Sequence, residues 1–345
     1  MKRGWRLGGL LAACAFAMVA SADEPGDPRD DVKHMHCFQG SDAARKLLLE
    51  NGFVVTDQCF RQFFEAYVAD PHVPAEKELP YFITVDSAWH AYHVLLEEGV
   101  RLLEHVQAKR LRTFSQRLYE CAREKARAHP PYADLARFAA VGLLLQDAAA
   151  ADGLSAADRA EAERIARAVQ APSGSIDASF LERPLASELF QVESFYAEEP
   201  ALAGLFRAQR WYASCAFRLA SARETERALL LAMLVVSDPE LDELIRLQQE
   251  PFPELLGPQD DVGVAAYVGL LRDMGRLHEA MRAPDAVRRL LPRFIERART
   301  NLPQPLINDQ ITMRRSLRSL QQAMQSFRLL PACRTPAAIL FQRTT

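Results

Sequence analysis

The chain has 345 residues, of which 49% are hydrophobic and 25% are charged, and its formal net charge is −3. This length and composition are typical of a globular protein with one large domain or two smaller ones. A mildly acidic chain with interspersed charges has no electrostatic footprint for nucleic acid, so we expect no nucleic-acid partner. Its low glycine content (15 residues) and its many alanines, leucines and arginines favour helix over sheet.

The first 22 residues have the three parts of a secretory signal peptide. A start with three basic residues precedes an apolar core at residues 7–19, and small residues form a cleavage site ending at Ala22. Lipoprotein processing at Cys14 is the rival interpretation, but the apolar core continues beyond that cysteine. We therefore expect an exported mature chain, residues 23–345, in the periplasm or outside the cell. Its longest apolar runs are far shorter than the roughly 20 residues of a membrane span, so no transmembrane segment is expected.

Five of the six cysteines remain after this cleavage. The odd number leaves at least one thiol free or paired between molecules. Cys37 and Cys59 are the closest pair in sequence, but spacing alone does not establish a bond. Cys121 and Cys215 lie in helical patterns, where a buried free thiol is an equally good interpretation.

Hydrophobic periodicity predicts an all-α fold, a multi-helix bundle or irregular helical array. The helices are predicted at about residues 42–50, 57–69, 132–151, 155–169, 201–220, 221–236, 262–281, 284–300 and 310–329. One more begins at 237–240, and a long helix runs from residue 86 to near residue 129, with a bend near residues 109–113. A strand is considered only for residues 337–342.

Several start and stop signals support these predictions. Ser41 can cap the first helix, and Asn51-Gly52 can end it. Residues 155–158 resemble a capping box, and residues 237–240 combine a cap, an early proline and a third-position glutamate. Residues 250–261, with three prolines and a glycine, are predicted as a loop. The best linker, and so the best candidate for a subdomain boundary, is residues 171–175 (APSGS).

The predicted helix from Asp86 has a polar stripe, because steps of three and four residues return to one face. The stripe contains Asp86, His90, His93, Glu97 and Glu104. Neutral imidazoles with a carboxylate suit a divalent metal, with His90, His93 and Glu97 as ligands and Asp86 holding one imidazole. A histidine oriented by a carboxylate could also act as a general base. The plainer interpretation is a solvated helix face, since Asp86 can be the helix cap and Arg101 falls in the same stripe.

Two other segments hold candidate side chains. Residues 34–37 (HMHC) supply metal donors, but chance composition of a loose lead-in is the favoured explanation because no fixed geometry is implied. Residues 206–212 (FRAQRWY) interleave arginines with aromatics. One interpretation is a pocket in which guanidinium groups clamp a carboxylate or phosphate. The other, more frequent, is arginine stacked on aromatic rings within helix packing. The pocket residues would be Tyr92, Arg207, Arg210 and Trp211.

Four segments together resemble an exported bacterial family known as domain of unknown function 3160. Residues 82–93 (FITVDSAWHAYH) are similar to its Thr-x-Asp…His-x-Tyr-His signature, and residues 206–211 (FRAQRW) to its Phe-Arg-Ala-x-x-Trp stretch. Residues 257–261 (GPQDD) resemble its Gly-x-x-Asp-Asp loop, and residues 330–342 a later element. The resemblance implies an exported, mainly helical protein and no established reaction.

Two departures from the family pattern are visible. Residues 195–200 (FYAEEP) are shorter than the arginine-, glycine- and histidine-containing stretch of the family. The chain also stops at residue 345, where the resemblance implies a longer protein. It is therefore similar to a truncated member, and a site completed by the missing part would be incomplete.

These patterns predict an exported helical protein of unassigned function that acts as a binding module of the cell envelope. The alternative is a metal-dependent hydrolase-like enzyme that uses His90, His93 and Glu97.

Overall fold

The computed structural model describes residues 41–55, 85–305, 325–335 and 340. Backbone contacts divide the chain into two compact units, residues 1–96 and 97–345. The predicted signal peptide, the HMHC segment, the Cys37–Cys59 pair, the helix at 57–69 and all but one residue of the strand at 337–342 lie outside the described residues.

In the first unit, helix α1 spans Asp42–Asn51, as the capping signals predict. The Ser41 hydroxyl accepts a hydrogen bond from the Ala44 amide at 3.2 Å. Gly52 ends the helix with a φ of 76°, a conformation that glycine adopts without strain. The long helix α2, Val85–Ala126, begins in this unit and ends in the second.

The second unit is built mainly from helices, which confirms the predicted all-α class. Helix α2 is followed by α3 (Pro131–Gln146), α4 (Ala156–Gln170), α5 (Pro200–Ser214), α6 (Ala222–Ser237), α7 (Pro239–Gln249), α8 (Pro251–Leu256), α9 (Val264–Asp273), α10 (Leu277–Arg282) and α11 (Pro284–Asn301). Short 3-10 helices occur at Ala148–Gly153, Ser187–Phe190 and Ser194–Ala197. Two short antiparallel ladders join β1 (Ser175–Ile176) to β2 (Leu185–Ala186) and β3 (Phe217–Arg218) to β4 (Ser326–Phe327).

Side-chain caps begin three of these helices near the predicted positions. Ser155 and Ser221 each accept a hydrogen bond from the amide three residues later, at 3.3 and 3.1 Å. Helix α7 is capped by Asp238 and not by the preceding serine. Pro239 then occupies the first helical position, where a missing N–H costs nothing.

An aromatic cluster packs α5 against α3. The rings of Phe138 and Tyr212 meet edge to face, with centroids 5.1 Å apart, and the Trp211 indole donates to the Phe138 carbonyl at 3.0 Å. Gly142 permits this close approach, because a Cβ at that position would collide with the Tyr212 hydroxyl. The buried face of α5 is thereby fixed, which determines the position of its outer face.

Several predictions about element boundaries are wrong. The stretch predicted as a loop from residue 250 contains α8, because prolines fit the first turn of a helix. The helix predicted over residues 201–220 ends at Ser214, since residues 217–218 form β3. The helix predicted over 262–281 is divided between α9 and α10 near Gly275, which has a φ of 66°.

The end of the predicted helix at 310–329 is also wrong, because residues 326–327 form β4; residues 310–324 lie outside the described part of the chain. Residues 171–175 lie between α4 and β1 in the second unit, and the subdomain boundary there stays a prediction. Cys121, Cys215 and Cys333 are free thiols. Across the described ranges, no helix is both long and apolar enough to cross a bilayer.

Candidate functional site

Three segments that stand out in the sequence come together in the second unit. Residues 206–211 lie on α5, residues 257–261 follow α8, and residues 330–334 follow β4. Two adjoining cavities lie among these segments, and Arg210 and Ala332 line both of them. The smaller, of about 310 Å³, is called the apolar cavity below, and the larger, of about 520 Å³, the charged cavity.

Main-chain hydrogen bonds hold the second and third segments together. The Asp260 amide donates to the Ala332 carbonyl at 2.8 Å, and the Arg334 amide donates to the Pro258 carbonyl at 2.7 Å. The Arg334 guanidinium also donates to the buried Asp260 carboxylate at 2.6 Å. Gly257 has a φ of 101°, and a Cβ there would lie 2.6 Å from the Arg334 carbonyl oxygen. The glycine is therefore required for the backbone contact that shapes this wall.

Aromatic and aliphatic side chains form most of the apolar cavity. The rings of Tyr196 and Phe206 lie 5.2 Å apart on one side. Leu330 and Pro331 also line the cavity. Glutamines supply much of its remaining surface: Gln209, Gln248, Gln249 and Gln259.

Gln248 is the unusual member of this wall. It is 1% exposed, yet neither its amide oxygen nor its amide nitrogen has a hydrogen-bond partner in the described part of the chain. The neighbouring Gln249 differs, because its amide nitrogen donates to the Leu329 carbonyl at 3.0 Å. Buried polar side-chain atoms are usually paired, so the Gln248 amide is able to donate to and accept from a group that enters the cavity.

A buried carboxyl group on α2 orients two residues of the apolar cavity. Glu104 is 3% exposed and accepts hydrogen bonds from the Tyr196 hydroxyl at 3.1 Å and from the Gln209 amide at 3.2 Å. Burial raises the pKa of Glu104, although both hydrogen bonds act in the opposite direction. Burial, with the neighbouring Glu104, also raises the pKa of Tyr196, which therefore remains a neutral donor.

Ion pairs supply most of the charged side chains in the wall of the charged cavity. The Arg218 guanidinium donates to Glu224 at 2.8 Å, and Glu224 is 1% exposed. Arg328 Nε lies 2.9 Å from an Asp261 carboxylate oxygen, and both side chains are nearly buried. These ion pairs give the wall a fixed shape and little net charge.

Arg210 is the exposed cation at the junction of the two cavities. Its guanidinium carbon lies 5.6 Å from the centroid of the Phe206 ring, a cation–π contact within one helix. Among the residues that the structure describes, no carboxylate lies within ion-pair distance of Arg210. This arrangement satisfies the stacking interpretation and still leaves the charge available to an anion.

The other residues of the predicted pocket are placed differently. Arg207 is half-buried on α5 and lines neither cavity; burial lowers its pKa, and its Nε has no partner among the described residues. Trp211 is fully buried in the aromatic cluster. Tyr92 belongs to the first unit, where it is 54% exposed on α2. Of the three predicted pocket residues on α5, only Arg210 lines a cavity.

The predicted metal ligands lie along α2. Asp86, His90 and His93 are exposed in the first unit. Glu97, in the second unit, has a carboxylate oxygen 3.5 Å from the Arg101 guanidinium. Over the described ranges, no three histidine, cysteine, aspartate or glutamate side chains form a group that could hold a metal ion. A divalent metal at His90, His93 and Glu97 stays a prediction.

Sequence reasoning missed Glu104 and Gln248 as members of the site. Glu104 falls in the same polar stripe as Glu97, seven residues earlier, and the periodicity does not distinguish a buried carboxyl from an exposed one. Gln248 lies near the end of an amphipathic helix, and nothing in its local sequence signals burial. Only the packing of α5 and residues 330–334 around these side chains shows their role.

A larger cleft of about 640 Å³ lies along α2 and the segment after α3. Its walls are largely charged surface side chains, including Glu120 and Arg123, and Arg112 already pairs with Asp147 at 2.5 Å. No unpartnered buried polar atom of the described residues lines this cleft. It therefore offers less specific recognition than the two adjoining cavities.

Comparison with known proteins gives a family without an assigned activity. The family described as "Protein of unknown function (DUF3160)" matches residues 41–345. Neither the curated proteins nor the solved structures give a match. The matched region contains both cavities and the histidine segment of α2, and the chain belongs to the DUF3160 family.

Proposed function

We propose that this chain is an exported binding protein of the cell envelope that holds a small organic ligand in the apolar cavity. The observation that carries the proposal is Gln248, a buried cavity residue whose two amide atoms lack partners among the described residues. An unpaired buried donor or acceptor costs about 1–3 kcal/mol. A ligand that offers both an acceptor and a donor, as an amide group does, removes that cost on binding.

The exposed guanidinium of Arg210 indicates that the ligand also carries an anionic group. Its guanidinium is exposed at the junction of the cavities and is free of carboxylate partners in the described part of the chain. A planar guanidinium binds a carboxylate through two parallel hydrogen bonds. The neighbouring arginines Arg218 and Arg328 are already neutralised by Glu224 and Asp261. Arg210 is therefore the group that a ligand carboxylate would meet.

The size of the apolar cavity limits the rest of the ligand. Its volume of about 310 Å³ is at the lower end of the range for ligand pockets. The rings of Tyr196 and Phe206 favour an aromatic or short aliphatic body. An N-acylated apolar amino acid combines this body with an amide and a carboxylate, and it represents the ligand class that we propose.

Calorimetric titration of the purified mature chain with N-acetylphenylalanine tests this proposal. We expect saturable binding, weakened at least about tenfold in Arg210→Met, because charge-assisted hydrogen bonds contribute about 1.5–3 kcal/mol. The carboxamide form of the same probe, which lacks the carboxylate, should bind to the unaltered protein as weakly as the acid binds to Arg210→Met. Arg207→Met is the control, because Arg207 lies on the same helix but lines neither cavity.

Two glutamine variants locate the amide interaction. Gln248→Met should weaken probe binding and stabilise the unliganded protein, by about 1 kcal/mol, because an unpaired polar group is removed. Gln249→Met should destabilise the unliganded protein, because it removes the hydrogen bond to Leu329. If Gln248→Met left the probe affinity unchanged, or if no aromatic or aliphatic acid of this class bound, the proposal would be wrong.

Export is part of the proposal and rests on the pattern of residues 1–22. Cell fractionation and N-terminal sequencing of the native protein test it. We expect a protein outside the cytoplasm that begins at Asp23, and an intact N-terminus in the cytoplasmic fraction would contradict it.

A further inference from the structure

A row of arginines lies along the outer face of α11. Arg289, Arg293 and Arg297 are each four residues apart and all three are exposed. Steps of four residues keep side chains on one face of a helix, so these three guanidinium groups are neighbours. Like charges at this spacing repel one another and destabilise a helix.

A groove runs beside this row, and a fourth arginine lines it. Arg276, which precedes α10, lines the groove together with Arg293 and Arg297. Met274 and Leu290 supply apolar surface, and the volume is about 490 Å³. Gly275 has a φ of 66°, and this turn brings Arg276 beside α11.

Carboxylates compensate this cluster only in part. Glu279 lies 3.1 Å from Arg276 and 3.9 Å from Arg289. Glu296 also lines the groove, but no arginine of the described residues lies within 4.0 Å of its carboxylate. Within the part of the chain that the structure describes, Arg293 and Arg297 have no carboxylate at ion-pair distance.

The basic character is local, because the chain as a whole has a net charge of −3. From Val264 to Asn301 the sequence has eight arginines and four acidic residues. Other arginine-bearing helices neutralise their surface charges: on α4, Arg159 pairs with Glu163 at 2.7 Å and Arg164 with Glu161 at 2.9 Å. The groove is thus a concentration of positive charge on a mildly acidic protein.

We propose that this groove binds phosphate groups through Arg276, Arg293 and Arg297. Guanidinium groups bind phosphate oxygens bidentately, and three of them around one groove can surround a single phosphate ester. Thr300 and Asn301 add polar groups at the margin of the groove. The shared chemistry is that of a phosphate monoester or diester, whether in a soluble molecule or in a lipid headgroup.

The test measures phosphate binding with the whole mature chain. Pyrophosphate is titrated calorimetrically, and phosphatidylcholine vesicles with and without phosphatidylglycerol are tested by co-sedimentation. We expect binding that weakens as salt is added, because exposed charges are screened. Pyrophosphate binding alone assigns the groove to soluble phosphates, and binding to the anionic vesicles alone assigns it to headgroups; either result supports the site.

Charge-matched variants separate a specific site from a general charge effect. Arg293→Gln/Arg297→Gln should lose at least about tenfold in affinity, since two charge-assisted contacts to the phosphate are removed. Arg159→Gln/Arg164→Gln removes the same charge from α4 and should retain binding. If the double variant in the groove failed to fold, Arg293→Lys/Arg297→Lys would replace it, with a smaller loss expected because the bidentate geometry is removed. Equal losses in the α4 and α11 variants, or no binding of either probe, would overturn the proposal.

Discussion

Two stretches of α2 contrast in how the protein treats polar side chains at helical spacing. His90 and His93, in the first unit, are exposed beside exposed apolar residues such as Trp89 and Leu95. Glu104, in the second unit, lies in the same sequence stripe but is buried and holds two side chains of the apolar cavity. A polar stripe therefore defines a face of a helix, and the elements packed on that face determine whether its carboxylates are solvated or structural.

The same contrast predicts how much stability each polar group contributes, and the largest effect is expected at Glu224. This carboxylate is 1% exposed and accepts hydrogen bonds from the Arg218 side chain and from two backbone amides. Removing one partner of a buried ion pair costs about 3–5 kcal/mol. Because Arg218 keeps a contact with Glu182 at 2.9 Å, we expect Glu224→Ala to lose about 3 kcal/mol in chemical denaturation.

Glu226 provides the control for this measurement on the same helix. It pairs with Arg288 at 3.0 Å, and solvent reaches this pair because the arginine side chain is 66% exposed, although the Glu226 side chain is only 16% exposed. Exposed ion pairs contribute about 0–1 kcal/mol, so Glu226→Ala should change stability far less. Similar losses in the two variants would show that burial does not decide the contribution of these carboxylates.

A smaller, pH-dependent effect is expected at Glu104. Burial raises its pKa in the folded protein above the value in the unfolded chain. The folded state then keeps its proton to higher pH, so the contribution of Glu104 to stability is fully present below the unfolded-state pKa and is lost as pH rises through the folded-state pKa. Glu104→Gln removes this pH dependence of stability. The stability of the variant relative to the unaltered protein should therefore increase as pH rises from the unfolded-state pKa of Glu104 to its folded-state pKa.

Denaturation curves at a series of pH values measure this difference directly. Glu97→Gln controls for loss of a carboxylate from the same helix, since Glu97 pairs with Arg101 at the surface. A constant difference between Glu104→Gln and the unaltered protein at every pH would contradict the assignment of a raised pKa.

Local signals in the sequence predict the helices better than they predict the site. Ser41 and Ser155 were identifiable as caps because a cap depends on residues only three positions apart. The end of α5 at Ser214 was not identifiable in this way. It depends on the pairing of β3 with β4, which lies more than a hundred residues later in the chain. Ladder formation between distant segments leaves no periodic signal in either one.

The candidate site was predictable in part for the same reason. Arg210 stands out through its aromatic neighbours, and the resemblance to the family singled out residues 257–261 and 330–334. That these segments meet follows from hydrogen bonds such as the one from the Asp260 amide to the Ala332 carbonyl. Gln248 lacks a hydrogen-bond partner among the described residues because of how all its neighbours are packed, and a single sequence does not reveal that packing.

The smallest effect on stability is expected at the histidines of α2. Both rings are exposed, and surface substitutions usually change stability by less than about 0.5 kcal/mol, so His90→Ala/His93→Ala should melt close to the unaltered protein. Elemental analysis of gently purified protein tests the metal hypothesis independently of stability. Stoichiometric zinc, manganese or iron that disappears in the double variant would support His90 and His93 as ligands and the hydrolase-like alternative. Absence of metal from both proteins, with unchanged melting, would contradict the metal hypothesis and favour a solvated helix face at His90 and His93.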